Sequence, residues 1–140
     1  MDKRISSRGI IIEDSAVYLM FRRRINENGE VSEYYVIPGG GIEENETLEE
    51  NVIREMKEEF QVDVKVEEYL GVEERETNIA HFFMCSIING IPHLGGEELE
   101  RCCESNYYEV RKVKIEDLDK LDIMSLDKIM KAYNLTKERR

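Results

Sequence analysis

The stretch "IPGGGIEENETLEENVIREMKEEFQV", residues 37–62, decides the fold of this chain. It runs from three consecutive glycines into a segment with helical periodicity. Thr47 and Glu50 have the spacing of a capping box, which predicts that a helix begins there. The apolar residues of that helix recur at about 100° per residue on one arc: Leu48, Val52, Ile53, Met56 and Phe60. The pattern predicts a helix that packs one face against a sheet.

Three carboxylates, Glu55, Glu58 and Glu59, form a stripe beside that apolar arc. Like charges at helical spacing weaken a helix and raise each other's pKa unless a positive group compensates. One interpretation is a surface helix in which Arg54 forms i,i+4 pairs with its neighbouring glutamates. The glycines at 39–41 favour another, because glycine lets main-chain atoms approach a ligand closely. The sequence then predicts a cation held by helix carboxylates and a main-chain carbonyl.

The spacing of fixed residues over 40–62 resembles the signature box of the Nudix hydrolases, G-x5-E-x7-R-E-U-x-E-E-x-G-U, where U is bulky and apolar. Gly40, Glu46, Arg54 and the three carboxylates all occupy their positions in that pattern. Gln61 stands where the family has glycine, and a left-handed residue at a helix end is costly for most side chains. Gln61 is therefore expected to affect the conformation of the chain where it leaves the helix more than the reaction chemistry.

The resemblance implies a metal-dependent hydrolysis of a pyrophosphate bond. It implies Glu55, Glu58 and Glu59 as metal ligands, with the carbonyl of Gly39 as a further one. Oxygen ligands suit Mg²⁺, with Mn²⁺ as a substitute. The general base stays open between Glu55, which we prefer, and a carboxylate of a later segment such as Glu98.

The resemblance also implies supporting and substrate-binding residues. Glu46 and Arg54 belong with the catalytic group as a shell that holds the glycine segment and the helix together. Gly40, Arg22, Arg23 and Glu98 are the residues expected to contact substrate. Solubility of the surface hairpin is an equally good interpretation of the arginines. Aromatic residues such as Tyr34 and Tyr35 are candidates for base stacking, but a place in the core is the favoured interpretation of each.

Apolar runs elsewhere predict strands and a second helix in an α/β fold. The predicted elements are strands at 10–12, 17–21, 34–38, 62–74, 79–88 and 106–115, a loop over 89–101, and a C-terminal amphipathic helix over 125–135. This order suggests a mixed sheet covered by helices. The resemblance makes it a Nudix-type α/β/α sandwich, as one domain over residues 1–140.

Composition limits the function classes. The chain has 140 residues, with 41% hydrophobic and 36% charged, which is typical of an ordered domain. Its net charge of −11 argues against a nucleic-acid binder. With no apolar run of membrane length and no signal-like N-terminus, we expect a cytoplasmic protein that does not bind membranes. A homodimer stays open, since the C-terminal helix could pack on its own sheet or on a partner.

The expected substrate is a nucleoside diphosphate linked to another group, including a nucleoside triphosphate or an oxidised nucleotide. Asn78 and Ile79 occupy the region where several subfamilies carry a substrate marker. Two alternatives remain: a non-catalytic Nudix-like module that binds a nucleotide and regulates a partner, and a structural protein whose acidic helix only solubilises its surface.

Overall fold

A mixed sheet of seven strands carries helices on both faces in the computed structural model, which describes residues 2–139. The strands are β1 (Arg4–Glu13), β2 (Ala16–Ile25), β3 (Val31–Val36), β4 (Gly39–Gly41), β5 (Asp63–Glu74), β6 (Asn78–Asn89) and β7 (Asn106–Lys114). The helices are α1 (Leu48–Phe60), α2 (Gly96–Arg101) and α3 (Leu126–Glu138), with a 3₁₀ turn at Ile115–Lys120. No helix of the described chain has the length and apolar character to cross a membrane.

The strand order is β3-β2-β1-β6-β5, with β4 beside β1 and β7 beside β2. The pairing of β1 with β6 is parallel, whereas the other pairings are antiparallel. Alternating residues of β1 point to opposite faces. Ile10 packs in one core with Ile129 of α3, and Ile11 packs in the other with Met56 of α1. The predicted α/β fold with a mixed sheet between helices is therefore confirmed.

The predicted hairpin between β1 and β2 is also confirmed. Asp14 and Ser15 both have positive φ, at 55° and 59°. Two such residues between antiparallel strands follow the right-handed strand twist. Strand β1 is longer than the strand predicted at 10–12. It begins at Arg4, and its first half is mostly polar.

Helix α1 begins as its capping box predicts, with reciprocal hydrogen bonds between Thr47 and Glu50. One residue of the predicted buried arc is wrong, since Ile53 is 40% exposed. Asn51 is instead fully buried, and its Nδ2 donates to the carbonyl of Gly41 at 3.2 Å. The packed face of α1 therefore includes Asn51, whose bond satisfies a main-chain carbonyl of the glycine strand.

Two segments predicted as loops are regular structure. The glycines at 39–41 form β4, antiparallel to β1. The predicted loop over 89–101 contains α2, which starts at Gly96. Neither segment has the apolar periodicity that marks a strand or a helix. Both elements are short, and contacts with neighbouring elements hold them in place.

Candidate active site

The glycine strand β4 lies unusually close to β1 and to α1. Gly39 has φ +150°, and a Cβ there would overlap the carbonyl oxygen of Ser7. A Cβ at Gly40 would overlap the carboxylate of Glu55. Only glycine lets a main chain pass at these distances. The run of glycines therefore brings main-chain atoms against helix carboxylates.

Glu59 is anchored to this strand, since the main-chain N–H of Gly39 donates to its Oε2 at 2.8 Å. Burial, together with the nearby charges of Glu98 and Glu55, raises the pKa of Glu59 to about 8, although Arg8 and the Gly39 N–H oppose the shift. A carboxyl group that resists ionisation in this way is ready to gain from a bound cation.

Arg54 is the centre of a hydrogen-bond network at the edge of the site. Its guanidinium bonds to both oxygens of Glu46, at 2.7 and 3.1 Å, and to the carbonyl of Gly41 at 3.0 Å. These contacts join α1 to the segment that leads into it. Hydrogen bonding to Glu46 raises the pKa of Arg54, which stays charged. The predicted supporting arrangement of Glu46 and Arg54 agrees with these contacts.

The same guanidinium bridges two of the predicted ligands. Its Nη1 donates to Glu55 at 2.9 Å and to both oxygens of Glu58 at 3.2 Å. Burial raises the pKa of Glu55 against the opposing charge of Arg54. Over residues 2–139, no three His, Cys, Asp or Glu side chains stand together as a ready-made ion site. The donors themselves fit a hard divalent cation, because they are carboxylate oxygens around a cradle that a Cβ at Gly40 would fill.

A cavity of about 520 Å³ contains all three predicted carboxylate ligands, and we call it the acidic cavity. Its lining comprises Arg4, Gly39, Gly40, Gly41, Glu43, Arg54, Glu55, Glu58, Glu59, Gly96, Glu97, Glu98 and Arg101. Helix α2 contributes Glu98 to this lining. The sequence predicts Glu98 as a candidate carboxylate of a later segment. Glu97 forms an i,i+4 ion pair with Arg101 at 3.3 Å.

The two predicted substrate arginines do not line this cavity. Arg22 lies over the ring of Tyr108, with its Cζ 3.7 Å from the ring centroid, and bonds to the side chain of Asn106. Arg23 pairs with Glu33 at 2.8 Å. They point to opposite faces of β2, as strand alternation requires. Their substrate role stays a prediction, without a contact to the carboxylates.

A second cavity, of about 290 Å³, lies beside β3 and Ile37, which precede the glycine segment in the chain. We call it the tyrosine pocket. It is lined by Arg8, Tyr34, Tyr35, Val36, Ile37, Arg75, Phe82, Asp122, Ile123, Met124 and Ser125. Arg8 lies at the boundary with the acidic cavity, because its Nη1 donates to the carbonyls of Ile37 at 3.0 Å and Gly39 at 3.5 Å. Burial lowers the pKa of Arg8, and Glu59 opposes that shift.

Sequence reasoning missed Arg4, Arg8, Arg75 and Asn51. The spacing of Arg4 and Arg8 places both on one face of a strand, but their segment lacks the apolar alternation that marks a strand. Asn51 looks like a surface residue of an acidic helix, and Arg75 lies between two strands.

Gln61 takes the conformation that the family glycine would favour, with φ 57° and ψ 35°. Its Nε2 donates to the carbonyls of Lys57 and Glu58, both at 3.0 Å. These bonds satisfy carbonyls that a helix end leaves without partners. The departure from the box thus preserves the helix exit.

Comparison with known proteins finds one matching family and two curated relatives. A family model described as NUDIX domain matches residues 3–131. An ADP-ribose pyrophosphatase of Methanocaldococcus jannaschii is 35% identical over 89 residues, 64% of this chain and 50% of the relative. A MutT-like protein of Streptomyces ambofaciens is 32% identical over 95 residues, 66% of this chain and 58% of the relative. The chain therefore spans about half the length of these curated relatives.

Solved structures support the fold independently. The crystal structure of a NUDIX hydrolase from Nitrosomonas europaea aligns with a TM-score of 0.71 at 19% identity, covering 96% of this chain and 72% of the other. Identity at that level speaks for the fold alone.

Proposed function

The chain belongs to the Nudix hydrolase family, and from that premise we propose that it hydrolyses the pyrophosphate bond of a nucleoside diphosphate linked to another group, with a divalent cation. The observation that carries the proposal is the contact of the glycine strand with the helix carboxylates. The main-chain N–H of Gly39 donates to Glu59. The carboxylate of Glu55 occupies the space that a side chain at Gly40 would need. A cation held there would face a cavity wide enough for a diphosphate.

The proposed ligands of the cation are Glu55, Glu58 and Glu59, with the carbonyl of Gly39. Mg²⁺ suits this set, and Mn²⁺ is a substitute, because both prefer oxygen donors. The bound cation supplies charge neutralisation for the phosphate oxygens and lowers the pKa of an attacking water. Arg54 carries the positive charge that keeps Glu55 and Glu58 close together before the cation binds.

Glu55 is the proposed general base. Burial raises its pKa, so its carboxylate accepts a proton more readily than an exposed glutamate does. Arg54 donates to only one of its oxygens, Oε2, which leaves Oε1 for the water proton. Glu98 is the alternative, since it reaches the same cavity from α2.

The tyrosine pocket is the proposed site for the nucleoside. Its walls combine the rings of Tyr34, Tyr35 and Phe82 with the carboxylate of Asp122. Aromatic faces stack on bases, and a carboxylate accepts from base N–H groups. The relatives include an ADP-ribose pyrophosphatase and a MutT-like protein, so the proposed substrates range from nucleotide sugars to nucleoside triphosphates, including oxidised ones.

A hydrolysis panel tests this function. Wild type, Glu58→Gln and Glu49→Gln are incubated with nucleotide sugars, dinucleotides and nucleoside triphosphates, with Mg²⁺, Mn²⁺ or chelator, and products are identified by mass. Glu49 is the matched control, because it is exposed on the same helix and lies outside the acidic cavity. We expect cation-dependent cleavage that falls by about 100-fold or more in Glu58→Gln and stays unchanged in Glu49→Gln. No turnover of any substrate by the wild type would contradict the proposal.

A nucleotide-binding regulatory module is the second candidate. It is favoured by the bridging of Glu55 and Glu58 by Arg54, which satisfies both carboxylates without an ion. Nucleotide binding without turnover, in the presence of either cation, would support this candidate against hydrolysis.

A further inference from the structure

Three arginines, Arg4, Arg8 and Arg75, lie along the two cavities of a chain whose net charge is −11. Arg8 and Arg75 share the tyrosine pocket, whereas Arg4 lines the acidic cavity. Arg4 and Arg8 are four residues apart on β1, so they lie on the same face of that strand. Like charges brought together without full compensation indicate a site for an anion.

The guanidinium of Arg8 is positioned but only partly used. Its Nη1 is held by the carbonyls of Ile37 and Gly39. Its Nε and Nη2 have no hydrogen-bond partner among the described residues. A guanidinium has five N–H donors in a rigid fork, and that fork matches the geometry of a phosphate. Arg8 therefore presents free donors where the pocket meets the glycine strand.

The guanidinium of Arg4 differs from that of Arg8 because it has van der Waals contacts but no polar partner among residues 2–139. Its guanidinium packs against the main chain of Gly41, where a Cβ would lie 2.6 Å from Nε. Within residues 2–139 its side chain forms no hydrogen bond and no ion pair. The neighbouring arginines differ, because Arg75 pairs with Glu73 at 3.0 Å and Arg101 pairs with Glu97.

We propose that Arg4 and Arg8 bind the phosphate oxygens of the substrate at the junction of the acidic cavity and the tyrosine pocket. The proposal rests on the proposed function and adds two substrate-positioning residues that the signature box does not contain. Charge-assisted bonds from two guanidiniums would offset the repulsion between a diphosphate and the surrounding glutamates. They would also align the diphosphate with Gly39, between its nucleoside and the carboxylates.

Titration calorimetry with inorganic pyrophosphate as the probe tests this without knowledge of the base. The proteins are wild type, Arg8→Gln, Arg8→Lys, Arg4→Gln and the control Arg139→Gln, each with Mg²⁺. Arg139 is the control because it caps α3 and pairs with Glu68, away from both junction residues. We expect pyrophosphate affinity to fall about tenfold or more in Arg8→Gln, less in Arg8→Lys and Arg4→Gln, and to stay within about twofold in the control.

A second measurement separates phosphate binding from a structural role of Arg8. Mg²⁺ alone is titrated into the same variants, with melting temperatures as a check on folding. The proposal predicts unchanged Mg²⁺ affinity in Arg8→Gln, whereas a displaced glycine strand would weaken both ligands equally and overturn it. Pyrophosphate affinity of Arg8→Gln within about twofold of wild type would also overturn it. Arginine-dependent pyrophosphate binding by a wild type without turnover would support this proposal and contradict only hydrolysis.

Discussion

The acidic cavity and the tyrosine pocket meet at Arg8, yet they are built in opposite ways. Four of the six carboxylates of the acidic cavity come from residues 43–59, one continuous stretch of sequence. The tyrosine pocket takes its walls from β1, β3, β6, the turn before β6 and the segment before α3. The first cavity is mostly charged, and the second is mostly aromatic and aliphatic, with two arginines and one aspartate.

This difference separates the proposed chemistry from the proposed selectivity. A cation site needs a fixed set of donors at short range, which a helix and an adjoining strand can supply locally. A nucleoside pocket needs surfaces from several directions. Substitutions on one side should therefore change cation binding and turnover, and substitutions on the other should change substrate affinity.

Removal of Arg54 should have the largest effect, because Arg54 pairs with several carboxylates of the acidic cavity. Arg54→Met leaves Glu46 and Glu55, whose side chains are 12% and 13% exposed, without their shared counter-charge. We expect the free energy of unfolding to fall by about 2–4 kcal/mol, and turnover to fall with it. Chemical denaturation measures the first quantity, with Arg139→Met as control. An unfolding free energy equal to that of wild type would contradict the network described here.

Glu59→Gln should show how much stability the acidic cavity costs. The pKa of Glu59 is about 8 in the folded chain and 4.5 as the reference value. The folded state therefore holds this proton more tightly, and stability is lost as pH rises from about 4.5 to about 8. In chelator at pH 9, we expect the variant to exceed wild type by about 1–2 kcal/mol, after allowance for solvent screening.

Thermal melts of both proteins at pH 5 and pH 9 make this measurement. The two proteins should differ little at pH 5, because Glu59 is neutral there in the folded state. An equal difference at both pH values would refute the assignment. Turnover of Glu59→Gln should be low at either pH, since a proposed ligand is lost.

Narrowing the tyrosine pocket should weaken substrate binding without disturbing the cation. Met124 is 64% exposed and lines the pocket, so Met124→Trp should fill space without loss of core packing. We expect KM for the substrate found in the panel to rise about tenfold, equivalent to about 1.4 kcal/mol, with Mg²⁺ affinity unchanged. Ile91→Trp, at a residue 82% exposed and outside both cavities, is the matched control. Weakened Mg²⁺ binding in Met124→Trp would mean that the two cavities are not separable.

Gln61 should give the smallest effect. Gln61→Gly relieves a left-handed residue, which costs about 1–2 kcal/mol, and loses two side-chain bonds to helix carbonyls worth about as much. We expect a net change within about 1 kcal/mol. Gln61→Ala loses the bonds without that relief and should destabilise the chain by about 1 kcal/mol more than Gln61→Gly. A reversed order in denaturation midpoints would show that the left-handed conformation of residue 61 is not strained.

Much of the acidic cavity could be predicted because its information is local. The capping box at Thr47 and Glu50, the helix between 48 and 60 and the position of Glu98 all agree with the structure. The prediction that Ile53 is buried was wrong because a helical wheel follows hydrophobicity and does not include the bond from the buried Asn51 to Gly41.

The remaining differences have a common cause. Short elements such as β4 and α2 are stabilised by contacts with distant residues, not by their own periodicity. Arg22 and Arg23 lie within β2, which extends beyond the strand predicted at 17–21, and their surroundings depend on the neighbours of β2, which are β3 and β7. Pairing with Glu33 and stacking on Tyr108 follow from that pairing.

The sequence by itself determined the family, the carboxylate helix and the position of the glycine run before it, because residue spacing along one helix turns directly into positions in space. Only the tertiary structure decided that Arg8 joins the two cavities, that Arg54 bridges Glu55 and Glu58, and that Gln61 replaces a glycine without loss of the helix exit. Some of those contacts join residues from separate segments, and others depend on the direction of a side chain. Strand pairing and helix packing determine which segments meet and where each side chain points.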